Sequence, residues 1–233
     1  KFLFGTVWKP GNDIYGILPM ILGSFYVTAG ALVLGVPIGI LTAIFLSRFA
    51  SPKMISVLKP AVQLLAGIPS VVYGFFGLVV IVPLLGGRGS MLAASIVLAI
   101  MILPTVITVS ESSLNAVDRS YYEGALALGA THERSVFSII LPAAKSGVTA
   151  AVILGIGRAI GEAMAVIMVA GNQPRMPQGI MKGLRTLTTN IVMEMGYSAD
   201  LHREALIATA VVLFVFILII NFLFSLTKRG NKS

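Results

Sequence analysis

The sequence predicts an all-α integral membrane protein with five transmembrane helices. Hydrophobic residues make up 57% of the 233 residues, charged residues only 11%, and the mean hydropathy is +0.95. A soluble domain carries about 25% charged residues, and a disordered chain is less hydrophobic and more charged, so both classes are excluded. Charged residues are also nearly absent from five long stretches. Each stretch has the roughly 20 residues that one membrane crossing needs.

The stretches set the helices and their connections in order. We place the spans at about 18–47, 61–85, 89–110, 146–171 and 205–227. The first is too long for a cleavable signal peptide and lacks a basic segment before it. Four prolines fall within these spans, where neighbouring helices can satisfy the freed carbonyls: Pro37, Pro69, Pro83 and Pro104. Two glycine pairs at a spacing of four predict close helix packing: Gly35 with Gly39, and Gly157 with Gly161.

The basic residues predict the topology. The first connector holds Arg48, Lys53 and Lys59, whereas the second holds only Arg88. By the positive-inside rule, the first connector, the connector at about 111–145 and the C-terminus are cytoplasmic. The N-terminus and the connector at about 172–204 then lie outside. A chain starting at Lys1 does not readily reach that side without a preceding span, so we expect a sixth helix upstream.

Composition and missing motifs exclude several classes of site. With no cysteine, the chain has no disulfide, no thiolate metal site and no cysteine nucleophile. The net charge of +8 fits lipid headgroups better than nucleic acid, because no basic cluster interleaves with aromatic residues. The phosphate loop G-x-x-x-x-G-K-[ST] is absent, as are H-E-x-x-H and G-x-S-x-G. The sequence therefore offers no ATP site of that type and no recognisable hydrolase centre.

The connector at about 111–145 is the largest polar segment on the predicted inner side. Its residues favour a short helix, a reversal at Gly129 and a second short helix, and Pro142 can open the next helix at its first turn. A small apolar helix on such a loop can insert into a groove of a soluble partner. His132 has no second ligand at metal-binding spacing, so we interpret it as a surface or interface residue and expect no metal site.

This connector resembles the "EAA" loop of the permease subunits of bacterial ABC importers. That motif reads E-A-A, three residues, G, nine residues, I, one residue, L-P, and Gly124 replaces the usual first alanine here. In that family the loop docks into a groove of the ATP-binding subunit. The resemblance implies a docking role for eight residues: Glu123, Gly124, Ala125, Gly129, Ala130, Ile139, Leu141 and Pro142.

The fourth span carries two charges, Arg158 and Glu162. They stand four residues apart, which places them on one helix face within pairing distance. Each charge costs about 2.5–3.5 kcal/mol at the middle of a membrane helix, so both need partners or an aqueous path. A guanidinium suits phosphate oxygens, and Glu162 could hold Arg158 while substrate is absent. The alternatives are a purely structural salt bridge and, for Glu162, a role as a proton-relay carboxylate.

The segment Gly157–Val166, followed by Val169–Asn172, resembles the phosphate-specific ABC importer permease of the PstC type. The resemblance implies a type I importer permease bundle in a bacterial or archaeal cytoplasmic membrane. It also implies phosphate passage at Arg158 and Glu162, with the chain not itself an enzyme. The implied partners are a second homologous permease, two ATP-binding subunits and an extracytoplasmic phosphate-binding protein. ATP and Mg would be bound by the ATP-binding subunits and no cofactor by this chain.

Other residues and other functions stay open. Four polar residues are candidates to line the path: Tyr73, Thr105, Thr108 and Asn172. Three basic residues of the outer connector could pair with acidic residues of the binding protein, or could simply be solvated: Arg175, Lys182 and Arg185. The alternative functions are a permease for sulfate or molybdate, a non-ABC carrier, a membrane enzyme, and a sensory or scaffold role. The carrier should lack an ATPase-docking loop and show inverted repeats.

Overall fold

The computed structural model describes residues 1–229, with side chains for residues 1–222. It begins with a short antiparallel hairpin, in which β1 (Trp8–Lys9) pairs with β2 (Ile14–Tyr15). Helix α1 (Leu18–Ile44) follows and ends in a π-helical turn, Phe45–Phe49. The hairpin therefore sits directly at the start of the first long apolar helix.

The expected span at about 61–85 is not one straight helix. The chain forms α2 (Pro52–Gly67), α3 (Ser70–Phe76), a π-helical turn (Gly77–Ile81) and α4 (Val82–Leu84). The axis turns by 98° between α2 and α3. Ile68 is extended, as the residue before a proline prefers, and Pro69 has no N–H for the carbonyl of Leu65. The Tyr73 hydroxyl donates to that carbonyl at 2.7 Å and supports the bend.

Helix α5 (Met91–Asn115) runs through the centre of the bundle and extends past its expected end at residue 110. The Ser90 side chain caps its start by accepting a hydrogen bond from the Ala93 amide at 3.2 Å. Glu111, expected to begin the polar connector, is buried in the helix instead. Its carboxylate accepts a hydrogen bond from Lys59 Nζ of α2 at 2.9 Å, which compensates the buried charge.

Helices α1 and α5 pack along each other more extensively than any other pair. Three glycines of α1 make this approach possible: Gly30, Gly35 and Gly39. A Cβ added at Gly35 would lie 3.0 Å from the Ala99 carbonyl oxygen, and one at Gly39 would lie 2.7 Å from Val106 Cγ1. The expected close packing of the Gly35–Gly39 pair is therefore confirmed.

Gly39→Ala should destabilise this packing by about 1–3 kcal/mol, the usual cost of overfilling a packed interface. Gly157→Ala is the matched control, since an added Cβ there meets no described atom within 4 Å. Alanine also has the higher helix propensity, so the control should be neutral or stabilising. The measurement is thermal unfolding of the detergent-solubilised subunit. Equal midpoints for the two variants would contradict the packing argument.

The connector after α5 forms two short helices with a reversal at Gly129, as expected. The elements are α6 (Arg119–Ala127), α7 (His132–Ser135), a π-helical turn (Val136–Ile140) and α8 (Leu141–Ala143). Pro142 lies in the first turn of α8, as expected. It has no N–H for the carbonyl four residues before it, and the π-helical turn, with its wider hydrogen bonds, bypasses that position.

The fourth span begins with α9 (Lys145–Gly161) after a bend of 68° and continues as α10 (Met164–Val169). The chain then forms α11 (Leu187–Glu194), which opens with a capping box between Thr186 and Thr189, and α12 (Asp200–Arg229).

Length and composition qualify three described helical segments as membrane spans, and up to five if each of the two bent pairs forms one span. The three are Leu18–Phe49, Met91–Asn115 and Asp200–Phe222. Lys232, one of the basic residues of the C-terminal tail that the topology prediction places inside, lies outside the described residues.

Candidate functional site

Arg158 lies on α9, three residues before that helix ends, and its side chain is half-buried. Its Nη1 donates to Thr105 Oγ1 of α5 at 3.2 Å. Among the described side chains, no carboxylate lies within ion-pair distance of its guanidinium. Arg158 is therefore a cation in an apolar bundle with one neutral hydrogen-bond partner.

The expected pairing of Arg158 with Glu162 is wrong in this structure. The (i, i+4) geometry requires an unbroken helix, but α9 ends at Gly161 and Glu162 is extended, with ψ of 126°. Its Oε1 accepts a hydrogen bond from the Ala165 amide at 3.0 Å, which caps the start of α10. Its backbone carbonyl accepts from Thr188 Oγ1 at 3.0 Å. Glu162 thus stabilises the break between two helices and leaves Arg158 without its counterion.

The face of α9 around Arg158 is open. An added Cβ at Gly157 or Gly161 meets no described atom within 4 Å, and Leu154 is exposed. The expectation that Gly157 and Gly161 pack against a helix of this chain is therefore wrong. Because glycine adds no bulk, the backbone beside Arg158 remains accessible from this side.

Of the four path candidates, two lie with Arg158. Thr105 contacts it directly, and Thr108 is exposed one turn further along the same face of α5. The other two are engaged elsewhere. Tyr73 supports the bend before α3, and Asn172 Nδ2 donates to the Ile167 carbonyl at 2.6 Å. The structure therefore joins Arg158 to Thr105, with Thr108 on the same face of α5, while the polar groups of Tyr73 and Asn172 are hydrogen-bonded to backbone carbonyls.

The loop that resembles the EAA motif is built on a defined helix end. Gly129 has φ of +83°, its amide donates to the Leu126 carbonyl at 2.9 Å, and the Ala130 amide donates to the Ala125 carbonyl at 3.1 Å. These are the two hydrogen bonds of a Schellman motif, which places glycine at the left-handed position. The motif's glycine is thus explained by backbone geometry.

The eight predicted docking residues divide into two groups. Four are exposed: Glu123, Gly124, Gly129 and Pro142. Four are buried or half-buried: Ala125, Ala130, Ile139 and Leu141. Sequence reasoning missed the exposed Tyr121 as a member of the same surface, and Leu128 at the reversal is 91% exposed. The signal in the sequence was the presence of the apolar residues Tyr121 and Leu128 in a polar connector.

Two carboxylates at the helix starts of this loop are held ionised by hydrogen bonds. The Ser120 amide donates to Asp118 and lowers the pKa of Asp118 below its ordinary value. The pKa of Glu133 is likewise lowered, first by its own backbone amide and then by the Thr131 hydroxyl. Both groups lie in the first turn or cap of a short helix, where negative charge is favourable.

His132 lies inside the loop with both ring nitrogens engaged. Nδ1 lies 2.7 Å from the Tyr122 hydroxyl and Nε2 lies 3.1 Å from the Arg48 carbonyl oxygen. It is an interface residue of the fold, as expected. Within the described residues, no group of three or more histidine or acidic residues could hold a metal ion.

Arg185 of the outer connector is buried, so the expected pairing with a partner's acidic residue is wrong for this residue. Its Nη1 forms a salt bridge with Glu194 and donates to Asn190 Oδ1 at 3.0 Å. The Glu194 carboxylate also accepts from Trp8 Nε1 at 2.9 Å and lies 2.8 Å from His202 Nε2. This cluster joins the N-terminal hairpin, the connector and α12. Arg175 and Lys182 remain exposed.

The sequence from residue 35 to residue 232 matches the family described as the binding-protein-dependent transport system inner membrane component. The chain is 41% identical to the probable ABC transporter permease protein YqgH of Bacillus subtilis, over 98% of this chain and 78% of that protein. It is 32% identical to the phosphate transport system permease protein PstC of Haemophilus influenzae, over 92% and 76%.

Solved structures support the same fold. A chain of the inward-facing MetNI methionine ABC transporter superposes with a TM-score of 0.72 at 18% identity, over 97% of this chain and all of that one. A chain of an amino acid ABC transporter superposes with a TM-score of 0.70 at 21% identity, over 92% and 93%. The bent helices described above therefore belong to a fold that solved ABC transporters share.

Proposed function

Because the chain belongs to the family of binding-protein-dependent transport system inner membrane components, we propose that it passes inorganic phosphate across the cytoplasmic membrane. Members of the family are ABC importer permeases, multi-pass proteins of that membrane which are not themselves enzymes. Our proposal concerns the transported substrate, inorganic phosphate. The Haemophilus relative is named for phosphate transport, whereas the name of the Bacillus relative states no substrate.

The environment of Arg158 is the observation that carries the phosphate proposal. A half-buried guanidinium with no described carboxylate partner is unfavourable in an apolar bundle unless an anion visits it. Its planar donors match the oxygens of a tetrahedral oxyanion, and Thr105 and Thr108 add hydroxyls on the same side. The open glycine face of α9 leaves room for an ion of this size.

Glu162 has a second role in this proposal. Its carboxylate caps α10, so it is fixed near Arg158 without forming an ion pair with it. A fixed negative charge close to the path weakens the binding of an anion, which prevents phosphate from being trapped at Arg158. Passage requires binding that is weak enough to be reversed.

The loop at residues 111–145 docks, in this proposal, onto an ATP-binding subunit at the cytoplasmic face, which places the C-terminus on the same side. The exposed residues of the docking set would make the contact, together with the apolar side chains Tyr121 and Leu128. ATP and Mg would be bound by two such subunits, and this chain would bind no cofactor. A second homologous permease would complete the path along the open face of α9.

An extracytoplasmic phosphate-binding protein would dock at the opposite end, on the connector at residues 172–204. The exposed Arg175 and Lys182 are available to its acidic side chains, whereas Arg185 is buried in a salt bridge with Glu194. Exposed ion pairs of this kind contribute little stability but orient the approaching protein.

The test is uptake of labelled phosphate in cells that lack their own phosphate importer and express the complete complex. Unlabelled phosphate should compete fully, and sulfate and molybdate should compete at least tenfold less effectively. Sulfate or molybdate uptake exceeding phosphate uptake would replace the cargo and leave the importer assignment in place. Uptake that persists without the ATP-binding subunits would support a carrier instead.

A further inference from the structure

The end of α1, the end of α5 and the two short helices of the connector meet at one point, around His132 and Arg48. The Arg48 side chain donates through Nη2 to the Leu114 carbonyl of α5 at 2.6 Å. The neighbouring Ser47 hydroxyl donates to Asn115 Oδ1 at 2.6 Å. Two adjacent residues of α1 therefore hold the last residues of α5.

The same Arg48 also holds the connector, through its backbone. Its carbonyl belongs to the last turn of α1, where carbonyls have no partner within the helix. A carbonyl oxygen can only accept, so His132 Nε2 carries the proton and donates to it. On the other side of the ring, a hydrogen bond of 2.7 Å joins Nδ1 to the Tyr122 hydroxyl. One imidazole thus joins α6 and α7 to α1.

Aromatic contacts fix the orientation of this imidazole. The Phe49 ring packs edge-on against it, with centroids 4.7 Å apart, and Tyr122 does the same at 5.7 Å. Beneath them lies an apolar cluster that includes Ile44, Leu114 and Val136, with Tyr122 packed against it. The junction is therefore a packed joint in which the imidazole is held on several sides.

We propose that His132 is a positioning residue that couples movement of the connector to the spans, acting through Tyr122 and the Arg48 carbonyl. The proposal rests on the proposed docking of the connector to an ATP-binding subunit. When nucleotide binding displaces α6, the hydrogen bond from Tyr122 moves His132, and His132 moves the end of α1. Arg48 and Ser47 pass the same displacement to α5, whose Thr105 contacts Arg158.

The test uses the complete complex in proteoliposomes and compares ATP hydrolysis with and without the loaded binding protein. Tyr122→Phe removes only the hydroxyl, and His132→Ala removes the joint. Tyr26→Phe is the matched control, because it removes the hydroxyl of an exposed tyrosine on α1 that makes no described hydrogen bond. His132→Gln retains a donor for the Arg48 carbonyl and tests partial rescue.

Stimulation by the binding protein should fall about fivefold in Tyr122→Phe, the equivalent of one hydrogen bond, and further in His132→Ala. Basal hydrolysis and subunit assembly should remain, and Tyr26→Phe should match the wild type. A merely structural role would reduce assembly and both rates together. Wild-type stimulation in an assembled His132→Ala complex would overturn the proposal.

The ratio of ATP hydrolysis with the loaded binding protein to hydrolysis without it does not depend on which oxyanion is carried. The experiment therefore distinguishes a failure of the phosphate proposal from a failure of the coupling proposal. If the wild type is stimulated only by a sulfate-loaded binding protein, the phosphate assignment fails while the coupling role of His132 is still measured. If the wild type transports phosphate and His132→Ala remains fully coupled, only the coupling proposal fails.

Discussion

Arg158→Gln should reduce phosphate transport by about ten- to 150-fold while the complex still assembles and hydrolyses ATP. Hydrogen bonds to a charged group contribute about 1.5–3 kcal/mol, and the neutral amide keeps the polarity of the position without the charge. The hydrogen bond to Thr105 can be retained by the amide nitrogen, so the packing of α9 on α5 is preserved. The measurement is initial uptake of labelled phosphate in proteoliposomes, alongside ATPase activity and subunit stoichiometry.

Two further substitutions separate charge from geometry. Arg158→Lys keeps the positive charge but loses the planar pair of donors, so we expect an intermediate loss. Glu162→Gln keeps an oxygen for the Ala165 amide and therefore the start of α10, while it removes the negative charge. We expect tighter phosphate binding and slower release in that variant. Unchanged uptake in Arg158→Gln would assign Arg158 a structural role only.

Glu194→Met should destabilise the protein by about 3–5 kcal/mol, the cost of leaving a buried charge without its partner. Glu194 is the shared acceptor for Arg185, Trp8 and His202, so its loss breaks the link between the hairpin, the connector and α12. Thermal unfolding of the solubilised subunit measures the effect. Glu204→Met is the matched control, because Glu204 is an exposed carboxylate near the start of α12.

The double variant Arg185→Met with Glu194→Met sharpens this prediction. Removing both charges leaves no isolated buried cation, so the double variant should be more stable than Glu194→Met alone. Trp8 and Asn190 still lose partners, so recovery should be incomplete. A double variant less stable than the single one would show that the cluster is not held by the ion pair.

Much of the architecture follows from the sequence because it depends on local chemistry. The length of the stretches without charged residues predicts the long helices. Gly129 predicts the reversal, because the helix ends with a residue in the left-handed conformation, which glycine adopts without strain. The Gly35–Gly39 pair predicts the close approach of α1 and α5. The span expected at 61–85 runs unbroken across Pro69, whereas the structure bends there by 98°.

The missed features depend on contacts between distant segments. The break at Glu162 combines a local cap on the Ala165 amide with a distant contact, in which the Glu162 carbonyl accepts from the Thr188 hydroxyl of the far connector. Arg185 looks like an exposed connector residue until Glu194 is placed beside it. Likewise, the junction of Arg48 with His132 joins residues 84 positions apart. Pattern reasoning identifies charged residues as important but cannot assign their partners.

Cysteine labelling can show whether phosphate reaches the position beside Arg158. The chain has no cysteine, so Thr108→Cys introduces a unique thiol on the exposed face of α5, one turn from Thr105. Val33→Cys, exposed on α1, is the lipid-facing control. In the assembled complex during turnover, we predict that a water-soluble thiol reagent modifies Thr108→Cys and not Val33→Cys, and that phosphate slows the modification more than sulfate does. If the Thr108→Cys thiol is unreactive, or if phosphate leaves its modification rate unchanged, phosphate does not pass beside Arg158.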